Sequence, residues 1–388
     1  MYATQEHTAL FNFDEEIARA NSDSEKWHKY ANRDILPMWV ADTDFRSPPA
    51  VIDALQARVA HGVFGYGYGA SPTLIDAFVA RMQERYNWRI QPEWLVFLPG
   101  LVCGLNLAVR AYTQAGDRTI APSPIYPPFA KSSAFAGIEQ LAAPVTLQNG
   151  RWVLDLAAAK AQLQGNEKLL LLCNPQNPGG TIYRREELLA QAEFAREHNL
   201  IICSDEIHCD LLLDAHPHIP IASLDADTEQ RSITLMAPSK TFNIAGLGAS
   251  IAIIPNERLR REFIRTRAGI VPGVDILAYV AAEAAYTQGE PWLQAQLDYL
   301  RANRDLVESR IAQIPGLQLA HTEATYLAWI DCSALPVENP HRFFEQAGVG
   351  LSPGADFGNA RFVRLNFGCR RALLREALDR MASAVQGL

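Results

Sequence analysis

The chain has 388 residues and a formal net charge of −8, with 48% hydrophobic and 20% charged residues. At roughly 150 residues per domain this suggests two or three domains with ample core material, and it excludes a disordered chain. The acidic balance argues against a general nucleic-acid binder and against docking on an anionic membrane.

Residues 1–45 are polar and irregular at first; Met1 to His7 has neither a basic start nor an apolar stretch, so no signal peptide is expected. The segment then runs Ile35-Leu-Pro-Met-Trp-Val-Ala-Asp42. Ser47-Pro48-Pro49 opens a segment with Val51, Ile52, Leu55 and Val59 at helical spacing, and Ser71-Pro72 opens another with Leu74, Ile75, Phe78, Val79 and Met82. A serine cap followed by proline at the first helical position is a start signal. Pro99-Gly100-Leu-Val-Cys-Gly104 is a glycine turn leading into a helix from Leu105 to Ala111.

Leu169–Cys173 is a short apolar run ending in the turn Asn174-Pro-Gln-Asn-Pro-Gly-Gly180. A helix follows from Arg184 to His198, with Leu188, Leu189, Ala192 and Ala195 on one face. Leu200–Cys203 and Ile233–Met236 are further apolar runs, and the alternation reads as βαβ units on a parallel sheet buried on both faces. A helical region from about Ile276 to Ile314 is interrupted at Gly289-Glu-Pro291. Candidate strands Tyr326–Ile330 and Arg361–Leu365 and a last helix from about Arg371 complete the chain. The expected architecture is α/β. A large unit over 46–275 carries a mostly parallel sheet covered by helices, a smaller α+β unit spans 276–388, and 1–45 packs with the smaller unit. No apolar run approaches the roughly 20 residues that span a bilayer. Six cysteines are scattered without a CxxC pair, which disfavours a disulfide framework or structural zinc and fits a reducing cytoplasm.

Ligands of open α/β sheets bind beyond the carboxyl ends of the strands. Polar residues gather there: Asn174 to Gly180 after the first run, Ser204-Asp205-Glu206-Ile-His208 after the second, and Pro238-Ser239-Lys240-Thr-Phe-Asn243 after the third. A lysine and a carboxylate at one rim suit pyridoxal 5′-phosphate. That cofactor needs a lysine for a Schiff base and an acid against the pyridine nitrogen, so that the ring works as an electron sink. Its phosphate suits backbone donors at a helix start, which the glycine turn at Pro99-Gly100 supplies. Asp205-Glu206-Ile-His208 with Cys203 and Cys209 is not read as a metal cluster, because successive strand residues alternate faces. Asp214-Ala-His216-Pro-His218 reads as a polar loop, and Gly65-Tyr-Gly67-Tyr-Gly69 lacks the βα pattern of a dinucleotide fingerprint.

In that order the motifs resemble the fold type I pyridoxal-phosphate enzymes of the class I/II aminotransferase superfamily. Met38–Phe45, Phe64–Gly67, Pro124–Phe129, Ser204–Asp210, Ala237–Gly246 and Thr325–Trp329 resemble the MalY/PatB group of cystathionine β-lyases, over nearly the whole chain from about Phe13. The resemblance implies roles. Lys240 would hold the cofactor and move protons at the substrate Cα, and Asp205 would pair with the pyridine nitrogen. Asn177 would bond the ring oxygen near the substrate carboxylate, with His208 where many aminotransferases place a tyrosine. Tyr126 would stack on the ring. Leu101 and Val102 N–H groups and the Ser239 hydroxyl would hold the phosphate, together with Tyr66 from a neighbouring subunit. Arg364 would clamp the substrate carboxylate through its planar fork.

The implied activity is carbon–sulfur β-elimination, taking L-cystathionine or another S-substituted L-cysteine to a thiol, pyruvate and ammonia. A class I/II aminotransferase is the alternative. The implied assembly is a homodimer with shared active sites, in the cytoplasm. Four positions depart from the pattern. Gly248 stands where many aminotransferases carry a phosphate-binding arginine and Ala237 where they carry serine. Thr43 replaces methionine and Ala324 replaces glycine, both expected on the substrate side.

Overall fold

The computed structural model describes residues 11–388, so the reading of Met1–His7 lies outside the described residues. A two-residue strand, β1 (Leu36–Pro37), precedes the main sheet. That sheet is built from β2 (Leu95–Leu98), β3 (Arg118–Ser123), β4 (Glu139–Gln148), β5 (Arg151–Leu154), β6 (Glu167–Cys173), β7 (Ile201–Asp205), β8 (Ser232–Met236) and β9 (Ser250–Ile253). Its order is β2-β9-β8-β7-β6-β3-β4-β5. The run β8-β7-β6-β3-β4 is parallel; β5 and β9 are added antiparallel at its two ends, and β2, antiparallel to β9, runs in the direction of the central strands again.

The apolar runs at Leu169, Leu200 and Ile233 are thus three adjacent central strands, almost wholly buried because helices cover both faces. The later strands are β10 (Gln318–Leu319), β11 (Leu327–Asp331), β12 (Val349–Gly350), β13 (Ser352–Pro353) and β14 (Phe362–Asn366). Four of them form a separate antiparallel sheet in the order β10-β11-β14-β13. β12 pairs in parallel with β1, which ties the early segment to the late one. This is the fold type I architecture: a large mixed sheet flanked by helices, and a smaller antiparallel sheet.

Four early helices position the site: α1 (Glu25–His28), α2 (Pro49–Ala60), α3 (Pro72–Tyr86) and α4 (Leu101–Tyr112). Ser71 caps α3 as expected, accepting from the Leu74 N–H at 3.0 Å ahead of Pro72. Ser47 does not cap α2: the helix starts at Pro49 without a side-chain cap, and the Ser47 hydroxyl donates to the Asn243 carbonyl at 2.9 Å. α4 starts at Leu101 and takes in Gly104, where a Cβ would lie 3.0 Å from a Leu235 methyl; glycine lets the helix close on β8. In the helix Arg185–Glu197, Leu188, Ala192 and Ala195 are buried but Leu189 is exposed, and Gln191 takes the inward position instead.

The long late helical region divides at Gly289 into helices Ile276–Gln288 and Glu290–Ile311. The first packs on α2 and α3. Among the described residues, no helix is long and apolar enough to cross a membrane. All six cysteines are unpaired.

Gly289 has no room for a side chain: a Cβ there would lie 2.5 Å from the Ala285 carbonyl and 2.5 Å from the Phe242 ring. Gly289→Ala is expected to destabilise by about 1–3 kcal/mol through overpacking. Gly273→Ala, whose added methyl meets nothing within 4 Å, should stay within about 0.5 kcal/mol of the parent. Thermal unfolding of both variants checks the contrast.

Candidate active site

The carboxyl ends of β6, β7 and β8 open on one cavity of about 200 Å³. Cys173 reaches it from the end of β6 and Asn177 from the turn that follows, Asp205 from the end of β7 and His208 from just beyond it, and Ser239 and Lys240 from the segment after β8. Leu101 and Val102 line it from the first turn of α4, and Tyr126 from the segment after β3. Nine of the ten residues named from the sequence therefore converge at one end of the sheet, with Arg364 joining through a hydrogen bond to Asn177. The tenth, Tyr66, does not: it is fully exposed on the segment Gly62–Ala70, away from this cavity.

Asp205 is buried, and among the described residues its carboxylate accepts one hydrogen bond, from the Ile207 N–H at 3.1 Å. Burial raises its pKa to about 7, with the neighbouring Glu206 adding to the rise and Lys240 opposing it. Lys240 donates from Nζ to the Ala41 carbonyl at 2.5 Å. Burial lowers its pKa to about 8, against the pull of Asp42. His208 is held near pKa 3 by burial and by the positive charges of Lys240 and Arg364, so it is neutral, and its Nδ1 has no partner among the described residues.

Arg364, on β14, is 4% exposed. Its guanidinium donates to Asn177 Oδ1 at 2.9 Å, the Trp39 carbonyl at 3.0 Å and Ser352 Oγ at 3.3 Å, and stacks 4.6 Å from the Phe357 ring centre. No carboxylate pairs with it among the described residues, its Nε is unpartnered, and burial lowers its pKa to about 10. With Oδ1 engaged by Arg364, Asn177 keeps its Nδ2 hydrogens to offer.

This donor set fits a phosphorylated pyridine. A buried acid without a cation in contact would suit a protonated ring nitrogen, and an amine lies in the same cavity. Gly100 gives α4 no side-chain cap, so the N–H groups of its first turn are free for an anion. Gly248 lines the same cavity with φ +58°, and a Cβ there would lie 2.5 Å from the Pro99 carbonyl. The arginine that many aminotransferases carry at this place therefore has no space here, which explains that departure. Ala324 pairs across an isolated bridge with Leu212 and bonds Gly180 rather than lining the cavity, against the expectation that it faces substrate.

Sequence reasoning missed the carbonyl groups of Trp39 and Ala41, although it singled out the motif Met38–Phe45 that carries them. Ala41 also accepts from the Tyr326 hydroxyl at 3.0 Å. Backbone acceptors leave no residue-type signal.

The fold and this cavity together define a cofactor-dependent enzyme with a lysine and an acid at the carboxyl ends of adjacent strands. The family model for aminotransferase class I and II matches residues 33–381, and the chain belongs to that family. It is 39% identical over 387 residues to the cystathionine β-lyase PatB of Bacillus subtilis, covering 96% of this chain and 100% of that one. The crystal structure of OvoB superimposes with a TM-score of 0.96 at 59% identity, covering 97% of this chain and 100% of that one. The pyridoxal-phosphate-bound C–S lyase from Staphylococcus hominis gives a TM-score of 0.90 at 32% identity, covering 97% and 98%.

The shifted acid makes a prediction for the cofactor-free protein. A carboxyl whose folded pKa is raised from 3.8 to about 7 costs no stability while both states are protonated. The cost grows as pH rises from about 4 to 7 and is constant above. Asp205→Asn removes it. The variant is expected to match the parent near pH 4 and to exceed it by about 4 kcal/mol at pH 8, measured by urea unfolding of both cofactor-free proteins.

Proposed function

We propose that the chain is a pyridoxal 5′-phosphate-dependent carbon–sulfur β-lyase that cleaves L-cystathionine or another S-substituted L-cysteine to a thiol, pyruvate and ammonia. The observation that carries this reading is the buried, uncompensated guanidinium of Arg364, joined through Asn177 to the cavity that Lys240 and Asp205 line. An α-amino acid brings the missing carboxylate, and seating it on Arg364 brings the amino acid to the lysine. PatB, a cystathionine β-lyase by name, supports the same activity.

Lys240 would anchor the cofactor, and Asp205 would face its ring nitrogen. Asn177, His208 and Tyr126 would hold the ring. Ser239 and the N–H groups of Leu101 and Val102 would hold the phosphate. When bound, the cofactor supplies an electron sink for the pair left on Cα. The protein's own work is positional. Arg364 fixes the α-carboxylate by two parallel hydrogen bonds. The Lys240 amine, with its pKa near 8, is a base poised near neutral pH and takes the Cα proton. The Cβ–S bond then breaks with departure of the thiolate, and one water completes conversion of the remaining three-carbon fragment to pyruvate and ammonia.

Our reading includes a cytoplasmic homodimer. Val63, Phe64, Tyr66, Tyr68 and Ile270 are exposed apolar or aromatic residues, a set that suits an interface, and Tyr66 would complete the partner's phosphate site. We also propose division of the chain near residues 45 and 275, supported by the two separate sheets and the β1–β12 pairing.

The direct test is pyruvate release from L-cystathionine by the holoenzyme without any 2-oxo acid, which a transaminase does not give. Lys240→Ala should abolish it; turnover retained in that variant refutes the assignment. Arg364→Lys keeps the charge but loses the fork, and should lower kcat/KM by roughly 30- to 150-fold at full cofactor occupancy, the equivalent of about 2–3 kcal/mol. Mixed dimers of Lys240→Ala and Tyr66→Phe subunits should recover activity that neither parent has, because one hybrid site carries both native residues.

A further inference from the structure

The motif Thr325-Tyr-Leu-Ala-Trp329 lines no part of the cavity, yet one of its side chains shares a hydrogen-bond acceptor with the reacting lysine. The Lys240 amine has one hydrogen-bond partner among the described residues, the Ala41 carbonyl at 2.5 Å. The Tyr326 hydroxyl donates to the same oxygen at 3.0 Å. A carbonyl oxygen has two lone pairs, so these two donors fill it. Ala41 lies in the stretch Met38–Phe45, which belongs to neither helix nor strand. Its carbonyl therefore takes its direction from the side chains that bond it.

Tyr326 is the rigid member of the pair. It is 1% exposed, and its own carbonyl accepts from the Phe367 N–H at 2.8 Å. Its ring meets the His208 ring edge-on with centres 6.1 Å apart, and at Gly368 a Cβ would lie 3.3 Å from it. The residue before it, Thr325, is buried with φ +73°. That is the left-handed region, which a β-branched residue rarely adopts. The surroundings impose it: the Thr325 N–H donates to the Leu211 carbonyl at 2.8 Å, and Oγ1 accepts from the Leu327 N–H at 3.1 Å. Backbone strain fixed this way gathers at functional sites, and here its effect is to aim the next side chain, Tyr326, at Ala41.

We propose that Tyr326 is a positioning residue for Lys240: its hydroxyl fixes the Ala41 carbonyl, and that carbonyl aims the lysine amine at the substrate Cα. The inference rests on Lys240 being the base at Cα, a step that the β-lyase and aminotransferase readings share. An amine with one hydrogen committed to a fixed acceptor has its lone pair turned in a fixed direction. Through that lone pair Lys240 takes the Cα proton, and the electron pair of the Cα–H bond stays with the substrate carbon. The ammonium so formed keeps the same acceptor, so the proton is gained without a move of the nitrogen. Tyr326 gives up no proton itself, since burial and Asp42 push its pKa well above the usual phenol range, against the pull of Arg364.

The test is Tyr326→Phe, which removes the hydroxyl and keeps the ring. Holoenzyme is incubated with L-alanine in D2O, and loss of the Cα hydrogen is followed by proton NMR. Alanine has no leaving group at Cβ, so the exchange reads the lysine's work alone. At full cofactor occupancy exchange is expected to slow by about tenfold or more, because a reacting group misplaced by about 1 Å costs on the order of a hundredfold in rate. The alanine concentration giving half the maximal rate should stay within about twofold of the parent's, since Arg364 still seats the carboxylate. A crystal structure of the cofactor-free variant should show the Lys240 amine displaced from the Ala41 carbonyl. Exchange within about twofold of the parent's, or an amine still seated on Ala41, overturns the proposal, and so does a parent that exchanges no amino acid. If Tyr326→Phe does not fold, Thr325→Gly decides in its place: it keeps the hydroxyl but relaxes the backbone that aims it. That variant should slow exchange by about threefold or more, and parental exchange in it overturns the proposal. Slowed exchange in the variant, with no pyruvate from L-cystathionine by the parent, upholds the role of Tyr326 and refutes the lyase reading; pyruvate from the parent with exchange unmoved in the variant does the reverse.

Discussion

Charge buried without a counter-charge organises this molecule. Elsewhere in the fold, buried ions are paired: Lys26 with Asp44 at 2.8 Å, Arg81 with Asp210 at 2.8 Å, Arg118 with Glu167 at 2.9 Å. At the carboxyl end of the sheet three ionisable groups are not. Asp205, Lys240 and Arg364 make no ion pair among the described residues, and burial pushes each toward its neutral form. Desolvating a charge costs several kcal/mol unless something returns the lost interaction. On the function proposed above, these three open groups would meet charges that arrive with ligands: a cationic ring nitrogen at Asp205 and a substrate carboxylate at Arg364.

Holding such groups requires scaffolding that is itself neutral. Four successive carbonyls, from Trp39 to Asp42, provide it. Trp39 accepts from Arg364 and from Ser352, Val40 from Asn366, Ala41 from Lys240 and Tyr326, and Asp42 from Asn366 and Lys26. One short, bent stretch of backbone therefore links the lysine that follows β8 with the arginine of β14. The strip is pinned in turn by β1 pairing with β12 and by the Lys26–Asp44–Arg19 network beneath it. Dipoles fix the direction of a cationic group without neutralising it, so the open charges stay available.

The fold was legible where side-chain pattern follows from burial. Leu169–Cys173, Leu200–Cys203 and Ile233–Met236 are continuous apolar runs because helices cover both faces of the central strands, and the polar residues after them land at one end because those strands are parallel. Ser47 misled because Ser-Pro-Pro offers two starts for a helix, and the hydroxyl found a better acceptor in the Asn243 carbonyl. Leu189 misled because a four-residue apolar set over about two turns does not say which member lies at the edge of the stripe. The site was legible through residue types that only particular chemistry needs, namely Lys240, Asp205 and Arg364. Trp39 and Ala41 were not, because a carbonyl is common to every residue, and Gly248 read as an omission until the Pro99 carbonyl showed why nothing larger fits.

Two anchors and a direction constrain an amino acid at this site more than affinity alone. If its carboxylate lies on Arg364 and its amino group at Lys240, two of the four bonds at Cα are placed, and only the side chain and the hydrogen are left to exchange positions. The guanidinium cannot swivel to accommodate the other arrangement, since Asn177, Trp39 and Ser352 hold it at its edges and Phe357 lies against its face. The hydrogen must face the lysine for proton transfer, so the side chain goes where space is offered. That choice decides whether the Cβ–S bond is aligned with the electron pair that proton removal leaves behind, and misalignment of a reacting bond by even about 1 Å costs on the order of a hundredfold in rate. On the proposed lyase reading, specificity for the sulfur substituent and competence in cleaving it would be set by the same geometry, because whatever seats the substituent also turns the bond.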